Sequence, residues 1–549
     1  MKSDDDLYKI FLEHMHELEN FRMSYAARHP TIPLEREDPD VRRLTEAMAH
    51  FAARTHLAGI RNIIEFRRRI FQQFFSYLLT PLPAMGMIRA KLTGQFSEPV
   101  SLPKGSEIAV SSEIKGTAIY RTLHHMRILP LSLTEMKMLL LPNRGYRIVL
   151  VLDAPYARND DIGHLHFHIN HLDDFQASLR VLSALEKHLR RVSVVFDEHV
   201  TEETRGTKCE VSFGPPEDDQ DEEWPHPLQK ERWFFHFPHR ELFLSVNVRS
   251  QPRDWSRFTL CFDLDAHWPR SLVLNEDVFQ LFAIPIVNLN SGMAQPIICD
   301  GTRERYPIRH PEPEYNFGLH SVEGVYQIEE GSMVPMRAGI LSVGTGSYEL
   351  EESTDSDGVK RHWLAPHFPE TFEEPRTIAI DARWLQPWFS EALRERLMAT
   401  TYSRNIIGLE WELIGELVPH GENTFQAEME GFLHLLTLKN KTVLNVDDLL
   451  GMLQTLGSVH QGYFQRAYDL LTDVRVEEVP VNRGGLPGTL KHVYYLRFED
   501  HDPSLIPLVE TFATHVNHIL DSWISEASVE VKIEVAEATE QFAAARGNQ

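Results

Sequence analysis

The densest group of chemically capable side chains is His164-Leu165-His166-Phe167-His168-Ile169-Asn170-His171. On an extended strand, residues two apart share a face, so His164, His166 and His168 project together. Three imidazoles on one face can hold zinc or iron if a further ligand arrives from a second element. That reading makes the chain a metalloenzyme. The same alternation also describes an ordinary amphipathic strand, with Leu165, Phe167 and Ile169 on its apolar side. Asp263 and Asp265 have the spacing of a Mg²⁺ site, but no phosphate-cradling glycine loop lies nearby. Gly344-Thr345-Gly346 lacks the third glycine and following helix of a dinucleotide fingerprint. Arg483-Gly484-Gly485-Leu486-Pro487-Gly488 lacks the Gly-Lys-Ser/Thr ending of a phosphate loop. Both read as turns. Neither a Gly-x-Ser-x-Gly elbow nor a His-Glu-x-x-His pattern occurs. The residues therefore support no reaction, no catalytic residue and no cofactor.

The elements that would position such side chains suit a large assembly subunit. The 549 residues are 42% apolar and 10% aromatic, enough for several packed cores and three or four domains. Against 80 acidic residues stand 55 Lys and Arg, a net charge of −25, which argues against nucleic acid as a partner. Cys209, Cys261 and Cys299 are too sparse for a disulfide framework, which points to a reducing, cytoplasmic setting. The opening Met1-Lys2-Ser3-Asp4-Asp5-Asp6 has no signal-peptide pattern, and no apolar run is long enough to insert in a membrane.

The expected fold class is α+β and multidomain. Residues 1–83 form a helical assembly segment, 84–213 a β-rich domain with one helix, 228–348 a β-rich middle domain, and 363–549 a mixed α/β domain. In the first segment Leu7, Ile10, Phe11, Leu18, Phe21 and Tyr25 follow a helical period. A second helix opens at Asp38-Pro39 and carries Val41, Leu44, Met48 and Phe51; a third carries Ile63, Ile70, Phe71, Phe74, Phe75 and Leu78. Such helices need cover, either from each other or from another chain. Asn445 caps a helix with Asp447 and Asp448 in its first turn. The clearest helix follows Asp502-Pro503, with Phe512, Val516, Ile519 and Trp523 on one stripe. The acidic stretches 214–223 and 349–360 read as solvated loops.

Several strings in order resemble the TssF family, baseplate subunits of the bacterial type VI secretion system. They begin with Glu19-Asn20-Phe21-Arg22-Met23-Ser24-Tyr25 and Asp38-Pro39-Asp40-Val41-Arg42-Arg43-Leu44. Phe74-Phe75-Ser76-Tyr77-Leu78-Leu79-Thr80-Pro81-Leu82-Pro83 and Leu102-Pro103-Lys104-Gly105-Ser106 follow. The most specific is Phe282-Ala283-Ile284-Pro285-Ile286-Val287-Asn288-Leu289, and His320-Ser321-Val322-Glu323-Gly324-Val325 comes last. Phe74-Phe75-Ser76 and Ala283 depart from the family's usual Leu-Tyr-Pro and Thr, so the chain is identified as a divergent member.

The resemblance implies a structural wedge subunit without catalytic residues. It implies a TssG-like partner shared by two copies of this chain, TssK-like and TssE-like subunits and the spike hub as neighbours, and self-association within or between wedges. It also implies a cytoplasmic baseplate docked at the inner membrane, where the wedges nucleate a contractile sheath. A phage-like or extracellular contractile injector is the alternative. The partner-contact candidates are Phe71, Phe74, Phe75 and Leu78 on the N-terminal helices and Phe512, Val516, Ile519 and Trp523 on the C-terminal one. Arg67, Arg68 and Arg69 form a basic face for an acidic neighbour. The same apolar stripes could instead fill the chain's own core. Two copies in one wedge need two environments, so mobile junctions are expected near 214–227 and 349–362.

Overall fold

A computed structural model describes residues 2–534 apart from 30–38, 95, 143–144, 217–225, 250, 266–267, 340–345, 355–359, 369–373, 403–405, 422–428, 440, 457, 481–489 and 525–526. Its contacts divide the chain into Met1–Ser76 with Phe425–Leu436, and Tyr77–Thr424 with Thr437–Gln549.

Helices α1 (Lys2–Arg28) and α2 (Pro39–Leu79) dominate the first unit. The second and third helices expected from the sequence are one. No proline interrupts residues 40–79, and Gly59 sits in open space, so nothing stops propagation. The helical geometry lapses only at Phe75 (φ −136°, ψ 38°), shortly before Pro81. The expected cap Asp38 lies outside the described residues.

In the second unit, strands Met85–Leu92, Ala283–Val287, Gly116–Thr122, Glu107–Ser112, Leu397–Thr401 and Leu409–Val418 close a barrel in that order. Three of the four segments expected from the sequence supply its strands. An eight-stranded antiparallel sheet runs Phe279–Leu281, Gly163–Ile169, Phe243–Val248, Thr207–Phe213, Leu189–Phe196, Trp255–Leu264, Tyr146–Arg158 and Ser132–Leu140. Helix α3 (Phe175–His188) accompanies it, capped by Asp174, whose side chain accepts from the Ala177 amide at 3.0 Å.

A five-stranded sheet is built around Arg376–Leu385, which pairs with Asn290–Met293, Ile297–Cys299 and Gly318–Glu329. Its apolar side chains share a core with Leu364 from the neighbouring four-stranded sheet. There the expected loop at 349–360 begins and ends in paired strands, Ser347–Thr354 with Lys360–His367 from Ser347↔His367 to Thr354↔Lys360, and residues 355–359 lie outside the described part. Its acidic side chains alternate with Leu350 along the strand, so charge alone misled the reading. Of the other expected junction, residues 217–225 lie outside the described part.

The remaining helices are α4 (Pro227–His236), α5 (Met429–Lys439), α6 (Val446–Thr455), α7 (Gln465–Leu470) and α8 (Ile506–Trp523). Asn445 caps α6 as expected, in a reciprocal box with Asp448. Strands Leu490–Phe498 and Ser528–Glu534 pair in parallel, and α8 is the crossover that such a pair requires.

Candidate assembly surface

At about 100° per residue, α2 carries two apolar stripes. Ala49, Ala53, Leu57 and Ile60 lie on one, and both alanines are fully buried. Leu44, Met48, Phe51 and Phe66 lie on the other and remain exposed, Phe51 at 69% and Phe66 at 64%. Val41 and Ile63 border it and are also exposed. Helix α1 meets α2 where His14 Nε2 lies 3.3 Å from His56 Nδ1. The side of α1 bearing Leu7, Ile10, Phe11, Met15 and Leu18 is half-buried, while Phe21, Met23 and Tyr25 near its end stay exposed. Scattered exposed apolar residues are ordinary; a row of large ones along one helix marks a contact surface.

The contact candidates chosen from the sequence are placed differently. Phe71, Phe75 and Leu78 are buried, so these positions are already covered within the chain. The side chains of Phe74, Arg67, Arg68 and Arg69 lie outside the described part. Phe512, Val516 and Ile519 are at 0% exposure and Trp523 at 3%. Phe512 packs among the rings of Phe235, Phe464 and Phe498, centroids 6.2–6.4 Å away. The α8 stripe is the chain's own core, because a crossover helix must cover the sheet it connects. The open stripe lies upstream, on the face of Val41, Leu44, Met48 and Phe51 that the periodicity marks as needing cover.

The end of α2 is held by a residue that the sequence reading missed. No basic side chain occupies its last turn. Arg232 of α4, fully buried, instead donates to the Tyr77 carbonyl at 2.7 Å and the Thr80 carbonyl at 3.0 Å. Those are among the carbonyls a helix end leaves without partners. Burial pulls the Arg232 guanidinium down to about 10, which still leaves it ionised at neutral pH. One turn further, His236 Nε2 lies 3.0 Å from the Pro83 carbonyl, and Tyr77 stacks on His226 at 3.8 Å. No local motif signals this, because the partners are about 150 residues apart.

The family-like strings acquire physical roles. Ala283–Val287 is a fully buried barrel strand, entered through Phe282 at φ +55°. Asn288, at its end, donates to the Ile119 carbonyl at 2.8 Å and accepts from the Gln386 amide at 2.6 Å. The Gln386 side chain in turn accepts from the Ile119 amide at 2.8 Å. The two side chains thus join the barrel to the end of the five-stranded sheet. In Leu102-Pro103-Lys104-Gly105-Ser106 the chain reverses with Gly105 at φ +78°, and Ser106 donates to the Pro103 carbonyl through both its amide and its hydroxyl.

The histidine strand is not arranged as a metal centre. His164 is exposed, His166 lies 2.6 Å from the Ser245 hydroxyl, and His168 is sealed, its imidazole pushed down to about 3 by burial. The three share a face, yet that face runs from solvent into the core, so the metalloenzyme reading loses its basis. Asp263 accepts a two-pronged contact from Arg147 at 2.6 and 3.1 Å, and Asp265 pairs with Arg190 and His188, which replaces the Mg²⁺ reading. Gly344, Thr345 and residues 483–488 lie outside the described part.

A family model described as "Type VI secretion system, TssF" matches residues 3–339. The chain belongs to that family. The match contains the whole open stripe, the Arg232 contacts and the Asn288 strand. It also decides for the type VI system over the phage-like and extracellular alternatives. No curated protein sequence matches. A chain in the structure of the type VI secretion system TssK-TssF-TssG baseplate subcomplex shares the fold at a TM-score of 0.71 and 16% identity. That alignment covers 90% of this TssF-family chain and 96% of the other. A chain of the type VI baseplate complex aligns at a TM-score of 0.60 and 16% identity, over 96% of each. Among the described residues, no helix is long and apolar enough to cross a membrane.

Proposed function

We propose that this chain is a wedge subunit of a type VI secretion baseplate, whose open α2 stripe is covered by a TssG-like subunit. The carrying observation is the row Leu44, Met48, Phe51 and Phe66, which the chain itself leaves in water. Covering large aromatic side chains is what gives protein interfaces most of their binding energy. TssK and TssG accompany TssF in the similar solved assembly, which supports TssK-like and TssG-like neighbours here. TssE-like subunits, the spike hub and a second copy of this chain complete the proposed contacts, with two copies per TssG-like subunit. The Arg67-Arg68-Arg69 run directly follows Phe66, and we assign it to the polar rim. The baseplate would work on the cytoplasmic side of the inner membrane. The role is mechanical, and no reaction is assigned to the chain.

Co-expression with the TssG-like protein of the same system tests this. Size-exclusion chromatography with mass measurement should find one complex with two copies of this chain. A stable monomer that elutes apart from the TssG-like protein overturns the proposal.

A further inference from the structure

Glu231 stands on α4, and His515 and His518 stand one turn apart on α8. The i, i+3 spacing puts both imidazoles on one side of α8. Glu231 Oε2 lies 2.7 Å from His515 Nδ1, and Oε1 lies 3.3 Å from His518 Nδ1. One ligand atom from each residue falls within 4.8 Å of the others, the only such trio of His, Cys, Asp or Glu among the described residues. Glu231 and His515 are buried, while His518 is half exposed and gives the cluster access to solvent. His515 also stacks flat on Phe234, which fixes its ring plane.

What separates Glu231 from His515 decides the chemistry. Glu241 Oε2 lies 3.5 Å from His515 Nε2, on the far side of the ring. A neutral imidazole has one N–H. If that proton sits on Nε2, facing Glu241, then Nδ1 turns a lone pair toward the Glu231 carboxylate. In that tautomer two lone pairs 2.7 Å apart call for a cation between them; in the other, Nδ1–H donates to Glu231, and a metal ion takes the place of that proton. The Glu241–His515 contact matches the carboxylate–imidazole pairing that orients a metal-bound histidine. Two imidazole nitrogens and one carboxylate oxygen suit zinc, whereas calcium and magnesium take oxygen ligands. A tetrahedral ion with bonds of about 2.0 Å spaces its ligand atoms about 3.3 Å apart. The trio's ligand atoms lie within 4.8 Å of one another and close by up to about 1.5 Å to reach that spacing.

We propose that Glu231, His515 and His518 form a site for zinc or a similar transition metal, oriented by Glu241, that clasps α8 to α4. The remaining coordination position falls to water. The site is structural, and it is separate from the His164–His168 strand and from the open stripe.

The full chain, stripped with a chelator, is titrated with Zn²⁺ against a chromophoric competitor and with Co²⁺ as a spectroscopic probe. One tight equivalent per chain is expected, with the visible Co²⁺ bands of a four-coordinate site and a rise in melting temperature on Zn²⁺ binding. His518→Ala, at a half-exposed position, should keep the fold yet weaken Zn²⁺ at least about tenfold. Glu231→Gln should do likewise. A His164→Ala/His166→Ala variant should bind as the parent does. The proposal is overturned if no tight equivalent is found, if His518→Ala binds unchanged, or if loss of His164 and His166 removes the binding.

Discussion

At the scale of single residues, two buried polar groups carry long-range connections. Arg232 satisfies the end of α2 from a helix far along the chain. Replacing it with Met takes the guanidinium from the Thr80 carbonyl and leaves the Tyr77 carbonyl only the Thr80 hydroxyl, and the expected loss is about 1–3 kcal/mol, read from denaturant midpoints. Arg232→Lys should recover only part of it, since a single ammonium cannot span both carbonyls as the guanidinium fork does. Full recovery by lysine would show that charge, not geometry, matters there. Asn288 and Gln386 exchange hydrogen bonds as a unit. Their alanine variants should be non-additive, with a coupling of about 0.5–3 kcal/mol in a double-mutant cycle. Strict additivity would mean that the two act independently.

At the scale of elements, one apolar periodicity has two outcomes. Phe51 and Phe66 face water, whereas Phe71 and Ile519 are sealed. Phe51→Glu/Phe66→Glu should therefore leave the isolated chain's stability within about 0.5 kcal/mol per site. The same variant should weaken association with the TssG-like subunit about 30-fold or more, as loss of central aromatic contacts does. Phe71→Ala and Ile519→Ala should behave oppositely, each costing about 2–5 kcal/mol of folding stability through the cavity left behind. Thermal melts and pull-downs on the same variants separate the cases. Undiminished capture by the charged variant would move the interface elsewhere.

At the scale of the whole molecule, burial of neutral histidines makes the fold sensitive to acid. Burial lowers His124, His168 and His320 to about 3 and His236 to about 4. Unfolded, each returns to about 6.5. Their contribution to stability is thus complete above pH 6.5 and is lost as pH falls toward the folded values. Between those limits the unfolded chain binds more protons, so stability drops by about 1.4 kcal/mol per histidine per pH unit. Melting temperature should therefore fall clearly from pH 7 to pH 5. A flat profile over that range would mean that these four residues are protonated in the folded state.

Periodicity, capping residues and turn formers act over a few residues. They determined the helical N-terminal segment, the Asn445 cap, the Gly105 turn, the α8 stripe and the absence of a recognisable catalytic motif. The ordered strings pointed to the family for the same reason: each is a local solution, such as a buried strand ending in Asn288. Which of two apolar stripes stays open is not local. Phe51 and Phe71 look alike in sequence, yet the first is 69% exposed and the second fully buried. The barrel closes with strands more than 300 residues apart, and Glu231 meets His515 across 284 positions. Those meetings follow from the shapes of packed layers, so the tertiary structure alone decided the core, the open stripe and the Glu231–His515–His518 cluster.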